Sequence, residues 1–145
     1  MSLRTIEIHP LTSVTAGVSQ FYTPQSSDET MLVQIPANTI EDLFVHRHQT
    51  DQLLVVKGSF VLVTLENRRY HYTLLSDCEP RVVTIPVGVL HGAINLNSEP
   101  CLLVNAVLRH GPRLERDYRP AKPPFPYDLE IAKALIKEYR CPVRV

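Results

Sequence analysis

Apolar and polar residues alternate in short runs along most of this chain, and a period of two is the mark of a half-buried strand. Thr5 to His9 sets Ile6 and Ile8 on one face before Pro10 ends the run, and Met31 to Ile35 stops in the same way at Pro36. A turn at Ala37-Asn38 leads into Ile40 to His48. Gln52 to Lys57 and Ser59 to Glu66 flank Gly58, where a tight turn calls for the positive φ that glycine accepts. Tyr70 to Leu75, Arg81 to Ile85, Leu90 to Leu96 and Cys101 to Arg109 complete the series. Polar or proline-bearing stretches separate them: Thr23 to Thr30, Asn67-Arg68-Arg69, Pro86-Val87-Gly88 and Asn97 to Pro100. Strand signals at intervals of about ten residues, with no helical pattern between them, predict an antiparallel barrel or sandwich rather than βαβ units.

The pattern changes after Arg109. His110 to Tyr127 holds Pro112, Pro120, Pro123, Pro124 and Pro126, which predicts a stiff, extended strap, since each proline fixes φ and removes an N–H donor. From Asp128 onward Leu129, Ala132, Leu135, Ile136 and Tyr139 recur at helical spacing, with Glu130 early and Lys137 and Arg140 late to suit the helix dipole. That helix is expected to dock on the barrel or on a partner subunit. The chain of 145 residues reads as one domain, a barrel over 1–110 with the strap and helix of 111–145 packed on it. At this length folding buries about 70% of the surface of the unfolded chain, enough for one real core.

Charge narrows the partners. Lys plus Arg and Asp plus Glu each total 15, and no basic run exceeds Arg68-Arg69, so neither nucleic acid nor an anionic membrane has an electrostatic footprint here. The first residues hold no apolar run of signal-peptide length, and a cytoplasmic location is expected. Cys78, Cys101 and Cys141 are odd in number and without a C-x-x-C pair, which predicts reduced thiols acting as small hydrophobes.

The candidate chemistry lies in two stretches. LFVHRHQTDQLLVVKGSF (43–60) sets His46 and His48 two apart, so on an extended strand both imidazoles share a face, and the acceptors Asp51 and Gln52 follow. IPVGVLHGAIN (85–95) adds His91 just past a Pro-x-Gly turn. Burying several imidazoles without partners costs a few kcal/mol, which favours a ligand or catalytic role. Three imidazoles with Asp51 make a nitrogen and oxygen set suited to Fe(II), Mn(II), Ni(II) or Zn(II), whereas Gln52 in the acid's place leaves a neutral, weaker one. Asp51 is the preferred ligand, with Gln52 as a substrate contact. Tyr70 and Tyr72 form a same-face pair, read as barrel wall rather than general acid and as candidate substrate contacts. Gly58, Pro86 and Gly88 read as turn devices, Asn95 as the tie of a neighbouring turn, and His9, His71 and His110 as surface residues.

Pro86, Gly88, His91 and Asn95 meet every fixed position of P-x-G-x-x-H-x-x-x-N, the second cupin motif, and His46, His48 and Gly58 meet the first. In the first motif the acid falls on Asp51 counted back from Gly58 and on Gln52 counted forward from His48. The chain thus resembles the cupins, which implies a single-domain, all-β jelly roll (a double-stranded β-helix), here with a C-terminal strap and one α-helix. VVTIPVGVLHGAINLNSEPCLLVNAV (82–107) and DYRPAKPPFPYDL (117–129) are similar to small cupins around the dTDP-4-dehydrorhamnose 3,5-epimerases and the sugar-nucleotide ketoisomerases. In those epimerases a histidine at the place of His46 is the base; Asp51 stands where they carry a lysine, and CLLVNAV lacks their tyrosine acid. The ketoisomerases carry H-x-H with a downstream glutamine, like His46, His48 and Gln52. The resemblance implies a homodimer and three readings of the activity. In the first, a divalent metal held by His46, His48, Asp51 and His91 acts on a sugar or other small polar substrate, as a Lewis acid or as an iron centre that activates dioxygen. In the second, no metal binds and His46 or His48 is the base of a sugar-nucleotide epimerase or ketoisomerase. In the third, the barrel binds a small ligand without catalysis.

Overall fold

The computed structural model describes residues 5–22, 26–112 and 117–138. The expectations for Tyr139, Arg140 and Cys141 lie outside the described residues. Thirteen strands and one helix follow in order: β1 (Glu7–Pro10), β2 (Ser13–Ala16), β3 (Ser19–Tyr22), β4 (Glu29–Ile35), β5 (Thr39–Ile40), β6 (Leu43–Val45), β7 (Gln49–Lys57), β8 (Ser59–Glu66), β9 (Arg69–Ser76), β10 (Arg81–Ile85), β11 (Leu90–Asn95), β12 (Cys101–Arg109), β13 (Arg119–Ala121) and α1 (Leu129–Glu138). Two antiparallel sheets, β1-β10-β7-β12-β4 and β13-β6-β11-β8-β9, face each other as a jelly roll, with β5 also paired to β11. Between them lies a core that includes Ile35, Leu53, Phe60, Leu62, Ile85 and Leu103. No described helix is long and apolar enough to cross a membrane.

A second apolar cluster lies outside the six-stranded sheet, where Leu43, Val61, Val63 and Ile94 meet Ala132 of α1. Strand β8 serves both, since Phe60 and Leu62 point inward while Val61 and Val63 point to the helix. The Asp128 carboxylate accepts from the amides of Glu130 (3.1 Å) and Ile131 (3.3 Å), the N-cap that starts α1. The strap is tied down on the way: Tyr70 Oη donates to the Phe125 carbonyl (2.6 Å) and Tyr127 Oη to the Glu41 carbonyl (2.9 Å).

Several local details differ from the sequence pattern. Ile40 to His48 is not one strand: β6 ends at Val45, and Arg47-His48 form a bend. A polar stretch carries the exposed hairpin β2–β3, which the pattern did not signal, and β13 lies within the proline strap as an edge strand paired to β6. Cys78 is disulfide-bonded, against the reduced-thiol expectation, while Cys101 is a free, buried thiol. Gly58 takes φ +92° at the β7–β8 turn, as the turn requires. At β8–β9 the turn instead places Asn67 and Arg68 at φ 52° and 63°.

Candidate functional site

The two histidine stretches meet at one end of the barrel. Gly88, at φ +83°, turns its amide onto the His46 carbonyl (2.8 Å), and His91 sits opposite Phe44 in the β11–β6 register. The Pro-x-Gly turn therefore fastens the second stretch to the first. Asn95 supports the far end of β11, its amide donating to the carbonyls of Ile35 (3.3 Å), Pro36 (3.1 Å) and Glu99 (3.1 Å).

At the centre is Asp51, buried and inward-facing on β7. Its Oδ2 lies 3.3 Å from His46 Nε2 and 3.3 Å from His91 Nε2. Its Oδ1 accepts from Gln49 Nε2 (2.6 Å) and Asn105 Nδ2 (3.0 Å). Gln49 is oriented by Arg109, whose Nη1 donates to the amide oxygen (2.7 Å) while its Nη2 pairs with Glu29 (2.6 Å). Both carboxylate oxygens are thus engaged, which orients Asp51 toward the imidazoles.

The tautomers follow from the backbone. His46 Nδ1 lies 3.0 Å from the Asp117 carbonyl and His91 Nδ1 2.9 Å from the Val89 carbonyl; a carbonyl only accepts, so each Nδ1 carries hydrogen. A neutral imidazole would then turn a lone pair toward Asp51 Oδ2. The contact is satisfied by a proton on one Nε2 or by a shared metal ion, and the imidazole without that proton keeps a lone pair with which to act as a base. Burial works against charge on His46, but its bond to Asp51 and the charge of Asp51 outweigh it and raise the pKa above the ordinary 6.5. Burial likewise favours a protonated Asp51, yet the hydrogen bonds and charges of His46 and His91 hold its carboxyl far below the usual carboxylate range.

The cavity over this group has a volume of about 230 Å³. Val33, Ile35, Leu53, Phe60 and Leu103 form its apolar part, while Glu41, Tyr118 and Asn105 join the histidines and Asp51 at its polar end. Tyr118, half exposed, stacks edge-on against His46 with ring centroids 4.9 Å apart. It arrives on the strap: the Asp117 carboxylate accepts from the amides of Arg47 (2.8 Å) and His48 (3.2 Å), so one residue fixes both the bend and the His46 ring.

Four sequence candidates lie elsewhere. The bend at Arg47-His48 breaks the alternation that was to set His48 beside His46; His48 packs against Gly111, and the group of ligand atoms within 4.8 Å of one another comprises His46, Asp51 and His91 only among the described residues. Gln52 points the other way from Asp51, as neighbours on a strand must, and donates to the carbonyls of Ser26 (3.1 Å) and Ala106 (2.8 Å). The side chains of Tyr70 and Tyr72 stand on the outer face of the six-stranded sheet and hold the strap, with Tyr72 Oη accepting from the Asp128 amide (2.6 Å). They are anchors of the strap and do not line the cavity.

Glu41, Gln49, Asn105, Asp117 and Tyr118 were not singled out from the sequence. Gln49 and Asn105 share the inward face of their strands with Asp51 and carried that much signal; Glu41 and Tyr118 carried none, because both depend on where irregular chain lands.

Comparison with known proteins places this geometry. No family model and no curated protein matches the sequence. Among solved structures, a dTDP sugar isomerase from Desulfovibrio desulfuricans is similar at TM-score 0.66 and 15% identity, over 90% of this chain and 89% of that one. A sugar 3,4-ketoisomerase from Thermoanaerobacterium thermosaccharolyticum, in complex with TDP, is similar at TM-score 0.64 and 14% identity, over 90% and 96%. A dTDP-4-dehydrorhamnose 3,5-epimerase from Sulfolobus tokodaii is similar at TM-score 0.60 and 14% identity, over 74% and 72%. At these identities the likeness establishes the fold, the cupin jelly roll of that group.

Proposed function

We propose that this chain is an isomerase or epimerase of a keto sugar carried on a nucleotide, with His46 as the group that moves the proton. The observation that carries the reading is the His46–Asp51–His91 cluster, in which one carboxylate oxygen serves two imidazoles of fixed tautomer at the polar end of the cavity. A carbon next to a carbonyl loses its hydrogen as a proton when a base stands within reach and charge developing on the oxygen is stabilised. His46 presents Nε2 to the cavity, because Nδ1 is committed to Asp117. Asp51 raises the basicity of that nitrogen, and His91 brings a second Nε2 to the same oxygen. The cavity is too small for a whole nucleotide sugar but roomy enough for its sugar ring, which leaves the nucleotide outside. Likeness to a ketoisomerase solved with TDP-4-keto-6-deoxyglucose supports a substrate of that class. The test is proton NMR of this protein with that sugar nucleotide in deuterated water. Deuterium at a carbon beside the keto group is expected in the wild type and not in His46→Asn; a wild type that exchanges no faster than buffer refutes the reading.

A second reading rests on the same atoms. Two Nε2 and one carboxylate oxygen form a two-histidine, one-carboxylate set, and second nitrogens bonded to backbone carbonyls are usual in metal-ligating histidines. These residues fit a divalent transition metal; when bound, such an ion polarises a substrate carbonyl as a Lewis acid. Metal analysis of untagged protein decides: close to one ion per chain, lost in a His46→Ala, His91→Ala double variant, favours this reading.

We also infer a homodimer. On the outer face of the five-stranded sheet, Leu32, Val104 and Leu54 stand side by side across β4, β12 and β7, with Leu32 71% exposed. A second copy covering this face would bury it isologously. Light scattering is expected to give twice the chain mass for the wild type and a monomer for Leu32→Asp; a monomeric wild type contradicts the inference.

A further inference from the structure

Glu41 stands in the wall of the cavity, on the segment between β5 and β6, and the sequence reading assigned it nothing. Three contacts place it. Its amide donates to the Ala93 carbonyl (3.0 Å), its carboxylate Oε2 accepts from the Ala93 amide (3.3 Å), and its carbonyl accepts from Tyr127 of the strap (2.9 Å). The pairing is possible because residue 92 is glycine: a Cβ there would come within 2.6 Å of the Asp42 carbonyl and push the segment off β11. With Oε2 engaged, Oε1 has no hydrogen-bond partner among the described residues, although the carboxyl lines a cavity that also holds His46, Asp51 and His91. A built, half-satisfied carboxyl facing a reaction cavity is a group waiting for a partner on the substrate.

We propose that Glu41 is a further catalytic residue, the acid that exchanges protons with the substrate oxygens while His46 exchanges them with carbon. This rests on the isomerase reading above. A ketone next to a hydroxyl-bearing carbon is converted in two balanced halves. In the first, His46 Nε2 takes the proton from the hydroxyl-bearing carbon, the C–H electron pair becomes the carbon–carbon double bond, and the carbonyl oxygen takes the proton of the Glu41 carboxyl. An enediol, a histidinium and a Glu41 carboxylate result. In the second, histidinium returns its proton to the former carbonyl carbon, while Glu41 takes the proton of the original hydroxyl, whose carbon becomes the new carbonyl. No oxidant or co-reactant is needed, and both residues end as they began. Burial raises the Glu41 pKa above the ordinary carboxylate value against the lowering effects of the Ala93 amide and the charge of His91.

The test is steady-state kinetics with TDP-4-keto-6-deoxyglucose. Glu41→Gln keeps the shape and the bond from the Ala93 amide but cannot give up a proton, so kcat is expected to fall by about 100-fold or more with KM within about threefold. Glu41→Asp, shorter but still acidic, is expected to recover part of kcat. Tyr118→Phe removes the other hydroxyl near His46 and is expected to act on KM more than on kcat. Melting temperatures within a few degrees of wild type show that the variants fold. An active wild type matched in kcat by Glu41→Gln, or a loss of kcat confined to Tyr118→Phe, overturns the role of Glu41 alone. A wild type with no turnover and no solvent exchange overturns the isomerase reading and this role together.

Discussion

The two faces of the six-stranded sheet are both buried, and they bury opposite things. Outside, Val61, Val63, Leu43 and Ile94 meet α1 and the strap, and the polar atoms among them are tyrosine hydroxyls that each bond a backbone group. Inside, the apolar lining of the barrel runs into a cluster of titratable groups that satisfy one another only if a proton or a metal ion is added. The lesson is that a buried polar residue is read by what its last lone pair or hydrogen faces. Tyrosine closing a strap needs nothing further; two imidazoles aimed at one carboxylate oxygen do. Changes to the outer face should therefore alter stability with little effect on chemistry, and changes to the inner cluster should act on chemistry and on stability in a pH-dependent way.

The sharpest separation is expected from His46→Asn. Solvent exchange into the substrate should fall by about 100-fold to 10,000-fold, the range of a general base, while the protein stays folded. Loss of stability without loss of exchange would erase the distinction between the faces. Leu43→Ala is the opposite probe: Leu43 is fully buried in the outer cluster, and truncation should cost about 3 kcal/mol, seen as a lower denaturation midpoint, with kcat per folded molecule unchanged.

A pH series sharpens the comparison further. The folded pKa of Asp51 is lowered, so its contribution is present above its unfolded value near 3.8 and is lost as pH falls toward the folded one. The folded pKa of His46 is raised, so its contribution is fully present below 6.5 and is lost as pH climbs through the folded value. Protein stripped of metal should therefore draw the most stability from this cluster between about pH 4 and 6.5. The difference between wild type and Asp51→Leu should shrink on either side of that window, whereas Leu43→Ala should show a difference that does not vary with pH. Tyr70→Phe is the mildest case, losing the bond to the Phe125 carbonyl for about 1 kcal/mol and leaving exchange untouched.

How far the sequence carried these features depended on regularity. The antiparallel barrel or sandwich was legible because alternation and turn residues repeat with little interruption, the jelly roll through the resemblance of the histidine motifs to those of the cupins, and Gly88 and His91 because a turn with fixed spacing aims the side chain that follows it. His48 was misread since alternation holds only while a strand continues, and the Asp117 carboxylate captures the Arg47 and His48 amides into a bend. Tyr70 and Tyr72 were correctly paired on one face, but which face looks inward is set by α1 and the strap, far along the chain. Glu41 and Tyr118 reach the cavity through a glycine-permitted close approach and a strap crossing, neither of which has a periodic signature.

A crystal structure with TDP-4-keto-6-deoxyglucose bound tests the central claim most directly. The sugar ring is expected inside the barrel, with the keto carbon or its neighbour about 3.5 Å from His46 Nε2 and the diphosphate outside the mouth. A sugar seated elsewhere, or turned so that no carbon beside the keto group approaches His46, would contradict it.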